Sequence, residues 1–208
     1  MEARRLLRLA CLLDDEGAEE RRRRAEVQAV PVEGVPGLVY TQGLLDEDEQ
    51  RQVLEELVNN GLLAPLQATG RGCRRLADQA NAFPPIRKGH VAEVLARRVR
   101  GVAGAFPGHI RHRRPLFDSC AVNRYGRRGR CKPHVDLLHY DDGIAIINLL
   151  GEATLVFQRD FAKVRVRLAK GSLLTLSGDS RYLWTHGVEA VHSETRASVV
   201  LRRMCSAI

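Results

Sequence analysis

The chain has 208 residues, 44% of them apolar, and its 33 Lys+Arg against 25 Asp+Glu give a formal net charge of +8. One sizeable core can be built from that, and a disordered, collagen-like or coiled-coil polypeptide is excluded. No apolar run approaches the roughly 20 residues of a membrane-spanning helix, so no membrane partner is expected, and five scattered cysteines without a Cys-x-x-Cys pair point to a reducing compartment.

Taken in chain order, the N-terminus opens on Arg4, Arg5 and Arg8, and Leu9 to Leu13 run straight into Asp14, Asp15 and Glu16. Those acids interrupt any signal-peptide core, so a cytoplasmic or nuclear protein is expected, with an organelle left open. Residues 1–30 read as a flexible extension ahead of a single domain over 31–208. Pro31 to Thr41, punctuated by Pro and Gly, reads as a loop and an edge strand. Asp46 with Glu49 forms a capping-box signature, followed by Val53, Leu54, Leu57 and Val58 at helical spacing up to Asn60-Gly61. Residues 64–90 lack periodicity and read as a long surface loop, a candidate substrate lid carrying Arg71, Arg74 and Arg75. A second helix is predicted over His90 to Val102. From Leu116 the pattern turns to strands: Phe117–Tyr125, Ile144–Leu150 with Asn148 inside it, Thr154–Gln158, Val164–Leu168, Ser172–Leu176, Arg181–Thr185 and Thr195–Arg203. The fold class is therefore mainly β with flanking helices, an antiparallel barrel or double-sheet jelly roll over 116–208 preceded by helices and lid over 31–115.

The charge is not evenly spread. Residues 1–27 hold seven Arg and seven acids, whereas residues 71–132 hold sixteen Lys or Arg against Asp78, Glu93 and Asp118. Such a segment can present a positive face to a polyanion, so nucleic acid is the expected partner. The same arginines can also merely solvate helix faces, as Arg97, Arg98 and Arg100 suggest. Aromatics in the segment are few, Phe83, Phe106, Phe117 and Tyr125, so the signal is electrostatic and reads no sequence.

Within the β region, His134-Val-Asp136 puts an imidazole and a carboxylate on one side of an extended chain, and His186 offers a third donor from a distant strand. Two histidines and one carboxylate on one face of a metal are the ligand set of non-haem Fe(II) oxygenases. His192 is a rival to His186. Asn123 and Tyr125 share a face by period two, as do Arg196, Ser198 and Arg202. For the last three, apolarity alone puts Thr195, Ala197, Val199 and Leu201 inside and the arginines outside. A buried dicarboxylate would reverse that, because an inward Arg is costly unless an anion meets it.

Taken together, Asn123-x-Tyr125, His134-x-Asp136, Gly178-Asp-Ser-Arg-Tyr-Leu-Trp-Thr-His186-Gly and Arg196-x-Ser198-x-x-x-Arg202 resemble the AlkB family of Fe(II)- and 2-oxoglutarate-dependent dioxygenases. The string from His134 to Ile146 is similar to plant and algal members. The resemblance implies a double-stranded β-helix and Fe(II) on His134, Asp136 and His186. It implies 2-oxoglutarate as co-substrate, its distal carboxylate on Arg196, its metal-proximal end supported by Arg202, and further hydrogen bonds from Asn123, Tyr125 and Ser198. With dioxygen as oxidant, the co-substrate is decarboxylated to succinate and a nearby carbon is hydroxylated; an N-methyl group would leave as formaldehyde. Repair members of the family carry a carboxylate two residues after the metal aspartate, where this chain has Leu138, and that puts repair-type base demethylation in doubt. A modified nucleic acid, RNA ahead of DNA, is the expected substrate of a monomeric enzyme. A protein substrate and a non-catalytic β-barrel binding module are the alternatives. His139 and Tyr140 either face the substrate or cap a turn.

Overall fold

Two antiparallel sheets lie face to face, and helices cover the outer face of the larger one. The computed structural model describes residues 27–63, 78–83, 86 and 91–205. The larger sheet runs in the order β1 (Ala29–Pro31), β2 (Leu38–Thr41), β9 (Ser172–Leu176), β6 (Ile144–Leu150), β11 (Thr195–Arg202), β4 (Ser119–Gly126), β3 (Asp78–Phe83). The smaller runs β5 (Cys131–His134), β10 (Thr185–Val191), β7 (Ala153–Arg159), β8 (Ala162–Leu168). Helices α1 (Glu47–Asn59), α2 (Val91–Gly101) and α3 (Gly108–Arg111) precede β4, and a single helical turn, α4 (Asp179–Tyr182), precedes β10. This is the jelly roll expected for the chain. Among the described residues no helix is long and apolar enough to cross a membrane.

The apolar pattern assigns each side chain to one of two cores. Ala145, Ile147 and Leu149 of β6, Leu173 of β9 and Ala197, Val199 and Leu201 of β11 pack under Leu57, Leu95 and Ile110 of the helices. Their alternates, Ile144, Ile146, Leu174, Leu176 and Val200, meet Leu155, Phe157 and Val188 of the smaller sheet. Strands buried on both faces read as unbroken apolar runs, which is why Ile144–Leu150 is visible in sequence without alternation. β8 has one face to water, and Val166 and Leu168 are buried while Lys163, Arg165 and Arg167 are exposed. Helix α1 starts at the predicted capping box: Asp46 Oδ1 accepts from the Glu49 amide at 2.9 Å and Glu49 Oε2 from the Asp46 amide at 3.0 Å. Gly37, at φ +82°, links β2 to the core where a Cβ would fall 1.9 Å from the Ser177 carbonyl oxygen, so only glycine fits.

Five readings are corrected. Part of the expected 64–90 loop is a strand: Asp78–Phe83 pairs with β4 at the edge of the larger sheet. That pairing rests on backbone hydrogen bonds and needs no β-branched pattern. Arg181–Trp184 is not strand, and β10 starts only at Thr185, because Asp179 to Tyr182 close a helical turn after Gly178 at φ +53°. β5 lies in no predicted strand; it is only four residues long and contains Pro133, which an edge position tolerates. Arg98 does not solvate a helix face but pairs with Glu49 of α1, both side chains largely buried. The chain over 29–31 already pairs with β2, so the sheet begins inside the stretch read as extension. Arg71, Arg74 and Arg75, with most of the expected lid, lie outside the described residues.

Phe157 is fully buried in the inter-sheet core. Phe157→Ala should lower stability by about 3–5 kcal/mol and Asp46→Ala by about 1 kcal/mol. Both are read as shifts of the urea midpoint at unchanged m; an unmoved midpoint for Phe157→Ala would contradict the core described here.

Candidate metal and anion site

The antiparallel register of β5 and β10 sets His134 directly opposite His186, with the ring centroids 4.7 Å apart. Strand β7 on the other side of β10 pairs Phe157 with His186, and the two rings stack at 5.9 Å. Asp136 follows β5 and returns its carboxylate to the pair, Oδ1 lying 3.5 Å from His134 Nε2. One ligand atom from each of the three residues lies within 4.8 Å of the other two. Close approach of the strands depends on Gly187, where a Cβ would be 2.5 Å from the Cys131 carbonyl oxygen. His134 stands at the rim with 44% of its side chain exposed, while Asp136 and His186 are buried.

The protonation states suit a metal. His134 Nδ1 lies 2.9 Å from the Lys132 carbonyl oxygen; a carbonyl only accepts, so the ring donates from Nδ1, and Nε2, which faces Asp136, is the nitrogen that becomes a ligand once its proton leaves. A hydrogen bond with Asp136, assisted by Cys131, raises the His134 imidazole to about 10. Burial alone would raise the Asp136 carboxyl, but the His134 hydrogen bond and the charge of Arg202 outweigh it and hold it well below the usual carboxylate range. Burial drops His186 to about 4, so it is a neutral donor at pH 7. Its Nδ1 is buried with no hydrogen-bond partner among the described residues. Two imidazoles and one carboxylate on one side of an ion fit Fe(II).

Behind the triad lies a cavity of about 420 Å³ between the sheets, lined among others by Asn123, Tyr125, Arg196, Ser198 and Arg202. The register explains the grouping: Arg196 lies opposite Tyr125, and Ser198 opposite Asn123. Both arginines therefore face inward, which overturns the reading from apolarity alone. Arg202 forks Asp136 from Nε at 2.9 Å and Nη2 at 3.2 Å and lies over the Tyr140 ring at 5.0 Å. It thus grips the carboxylate of the triad. Arg196, only 2% exposed, has no carboxylate partner among the described residues. Its Nε donates to Asn148 Oδ1 at 2.8 Å, and its guanidinium lies 5.1 Å from the Tyr125 ring. Ser198 Oγ is buried with no hydrogen-bond partner among the described residues. Burial pushes the Tyr125 phenol up to about 12, so it stays a neutral hydrogen-bonding group. A buried cation and an orphaned hydroxyl lining one cavity beside a metal-type triad fit a dicarboxylate.

Of the substrate residues expected from sequence, Tyr140 lines the cavity, whereas His139 is exposed and only flanks the Tyr140 ring at 4.2 Å. His192 is no rival ligand, its Nε2 lying 2.8 Å from Thr154 Oγ1 away from the triad. Two residues went unrecognised in the sequence. Asn148 anchors Arg196 and is itself fixed by donating to Gly151 and Ala169 carbonyls; its signal was the polar interruption of an apolar run. Arg181 is 0% exposed and donates to the carbonyls of Asp136, Leu137 and Tyr140 at 2.9–3.0 Å. It clasps the turn that follows the metal aspartate.

A profile of the 2OG-Fe(II) oxygenase superfamily matches residues 37–205. The tRNA (carboxymethyluridine(34)-5-O)-methyltransferase ALKBH8 of Macaca fascicularis is 35% identical over 83 residues, 39% of this chain and 12% of that protein. Its Xenopus tropicalis counterpart is 38% identical over 73 residues, 34% of this chain and again 12% of the relative. The chain thus spans about an eighth of these relatives. Among solved structures, OsALKBH1 superposes with a TM-score of 0.61 at 16% identity, over 85% of this chain and all of that one. The viral collagen prolyl hydroxylase of Paramecium Bursaria Chlorella virus-1, solved with 2OG, gives 0.54 at 15% identity, over 81% and 96%. At such identities these likenesses concern the fold.

Two outcomes follow. At pH 7 the metal-free protein carries a proton on His134 and none on His186, and a ligand imidazole must be neutral. Binding of Mn(II) or Fe(II) should therefore release about one proton and tighten as pH rises toward 10. Calorimetry in buffers of different ionisation enthalpy reads this directly, and release near zero would contradict the His134 assignment. Arg181→Met leaves three carbonyls without their donor and should cost about 3 kcal/mol, with amide exchange over residues 136–140 accelerating more than over β6.

Proposed function

We propose that this chain, which belongs to the 2OG-Fe(II) oxygenase superfamily, is an iron- and 2-oxoglutarate-dependent dioxygenase acting on a modified nucleic acid, RNA ahead of DNA. Fe(II), 2-oxoglutarate and dioxygen are the metal, co-substrate and oxidant of the family. One observation carries the reading: Arg196, buried and without a carboxylate partner among the described residues, lines the same cavity as the His134, Asp136 and His186 group.

In this reading His134, Asp136 and His186 would hold the iron and Arg196 would take the distal carboxylate of 2-oxoglutarate. Tyr125, Asn123 and Ser198 complete that end with hydrogen bonds. Bound there, Fe(II) with 2-oxoglutarate supplies the oxidation of a substrate C–H bond by dioxygen, with succinate and carbon dioxide as co-products. Arg202 orients the Asp136 carboxylate through its two-pronged contact, so its part is positioning. Asn148 pre-orients Arg196, sparing the site reorganisation when the anion enters. Leu155, Val188 and Val200 give the cavity dry walls. The nucleic-acid part draws on the basic 71–132 segment and on relatives named for tRNA. Their methyl transfer is not carried over to a chain spanning an eighth of their length. Leu138, where repair enzymes of the family carry a carboxylate, is 75% exposed and supports a substrate other than an alkylated repair base.

Anaerobic addition of Fe(II) and 2-oxoglutarate should produce a weak visible charge-transfer band that is lost in His134→Ala. In Arg196→Met, metal binding should persist while the 2-oxoglutarate Kd rises at least about tenfold, the loss expected for removing a charged hydrogen-bond donor. No band in metal-loaded wild type would contradict the assignment, and unchanged 2-oxoglutarate affinity in Arg196→Met would remove Arg196 from it.

A further inference from the structure

The chain from the β4–β5 turn to Tyr140 runs past the cavity mouth, lining it with Cys131, His134–Leu137 and Tyr140, and its chemistry changes at the His134–Asp136 pair. Upstream, Arg127, Arg128, Arg130 and Lys132 are all exposed, and no acidic residue occurs between Asp118 and Asp136. Arg127 has Glu194 at 2.9 Å with both side chains far into solvent. Arg128, Arg130 and Lys132 make no ion pair among the described residues. Downstream, Leu137 and Leu138 are 64% and 75% exposed, and Tyr182, Leu183 and Met204 are exposed too. Met204 bridges to Tyr140, and Arg181, beside Tyr182, donates to the Leu137 and Tyr140 carbonyls, so these apolar groups belong to the same side of the mouth.

The turn itself carries a second sign. Gly129 donates to the Gly126 carbonyl at 2.8 Å, making Arg127 and Arg128 its corners, and Arg128 sits at φ +64°. Glycine or asparagine is the ordinary occupant of that left-handed region. Glycine is used at 129, where a Cβ would meet the Gly126 oxygen at 2.8 Å, yet the strained corner keeps an arginine. A strained residue whose side chain contributes nothing to packing suggests a role for that side chain.

We propose that the β4–β5 turn and the strand leading to His134 form a phosphate-docking ridge for a single-stranded polynucleotide, whose bases lie across the apolar side of the mouth. The inference rests on the nucleic-acid reading above and assigns it a surface. Arg130 and Lys132 stand two residues apart on the run into β5, about 7 Å in extended chain, and Arg128 at the turn before them adds a third cation, a group suited to a row of backbone anions. Single strands combine phosphates on one side with exposed apolar base faces on the other, which matches the two halves of this rim. The ridge ends at Lys132, whose carbonyl fixes His134, so a strand anchored there passes over the metal site.

The test is fluorescence anisotropy of the full chain with a labelled single-stranded RNA, the same sequence as DNA, and poly-glutamate, across a series of KCl concentrations. Wild type should bind the oligonucleotides with a clear salt dependence, and the RNA and DNA arms separate the two sources of the phosphodiester. The combined Arg128→Gly, Arg130→Ser, Lys132→Ser variant should bind at least about tenfold more weakly at low salt, and its log–log salt slope should fall by about 2, as expected for three lost phosphate contacts. Arg128→Gly alone should keep or raise Tm while lowering the slope by about 0.7, which separates docking from folding. Leu138→Ser should weaken binding with the slope unchanged. Oligonucleotide binding by wild type that the combined variant reproduces in affinity and slope would overturn the ridge while leaving the nucleic-acid reading intact. Binding of poly-glutamate without either oligonucleotide would overturn both, and leave the oxygenase assignment untouched.

Discussion

The site depends on the register between β5 and β10. Pairing His134 with His186 brings together two residues that are far apart in sequence, and a one-residue slip would turn one imidazole to the opposite face of the sheet. Gly187 permits the close approach, since any side chain there would collide with the Cys131 carbonyl. Two imidazoles at 4.7 Å would repel each other if both were protonated. Burial of His186 removes that conflict by keeping it neutral, and Asp136 takes the charge that His134 retains.

Three buried or half-buried arginines then complete the site, each compensated differently. Removing a guanidinium from water costs several kcal/mol unless it is met by anions or acceptors. Arg202 is met by the Asp136 carboxylate and Arg181 by three carbonyls. Among the described residues Arg196 is met by Asn148 and the face of Tyr125, with no carboxylate. The under-compensated cation is the one that faces the cavity. A fold that bears this cost in advance binds a dicarboxylate without rearranging, and gains stability from the ligand in proportion to its occupancy.

Much of this was legible in the sequence, and the failures have physical causes. The triad and the strands from β6 to β9 were readable because ligand spacing and apolar runs are local signals. The inward turn of Arg196 was not readable from periodicity, because β11 is covered on both faces and its buried run from Arg196 to Leu201 erases the alternation. β3, Asp-Gln-Ala-Asn-Ala-Phe, lacks β-branched residues and is defined by its pairing with β4. Arg181 was misplaced because Arg-Tyr-Leu-Trp-Thr has strand propensity, whereas Gly178 and the Asp179 carbonyl, which accepts from the Leu183 amide, close a helical turn first. Its role, holding backbone carbonyls 41 to 45 residues away, has no local signature at all.

In this reading the same geometry separates two tasks: His134 at the rim and the buried groups behind it would hold iron and co-substrate, while the exposed turn and leucines would meet the substrate. The central claim concerns the buried half. Diffraction from crystals soaked with Mn(II) and 2-oxoglutarate, recorded at the manganese edge, tests it most directly. The account predicts one anomalous peak at coordination distance from His134, Asp136 and His186, with the far carboxylate of the keto acid on Arg196. A peak elsewhere, or a keto acid whose far carboxylate lies away from Arg196, would contradict it.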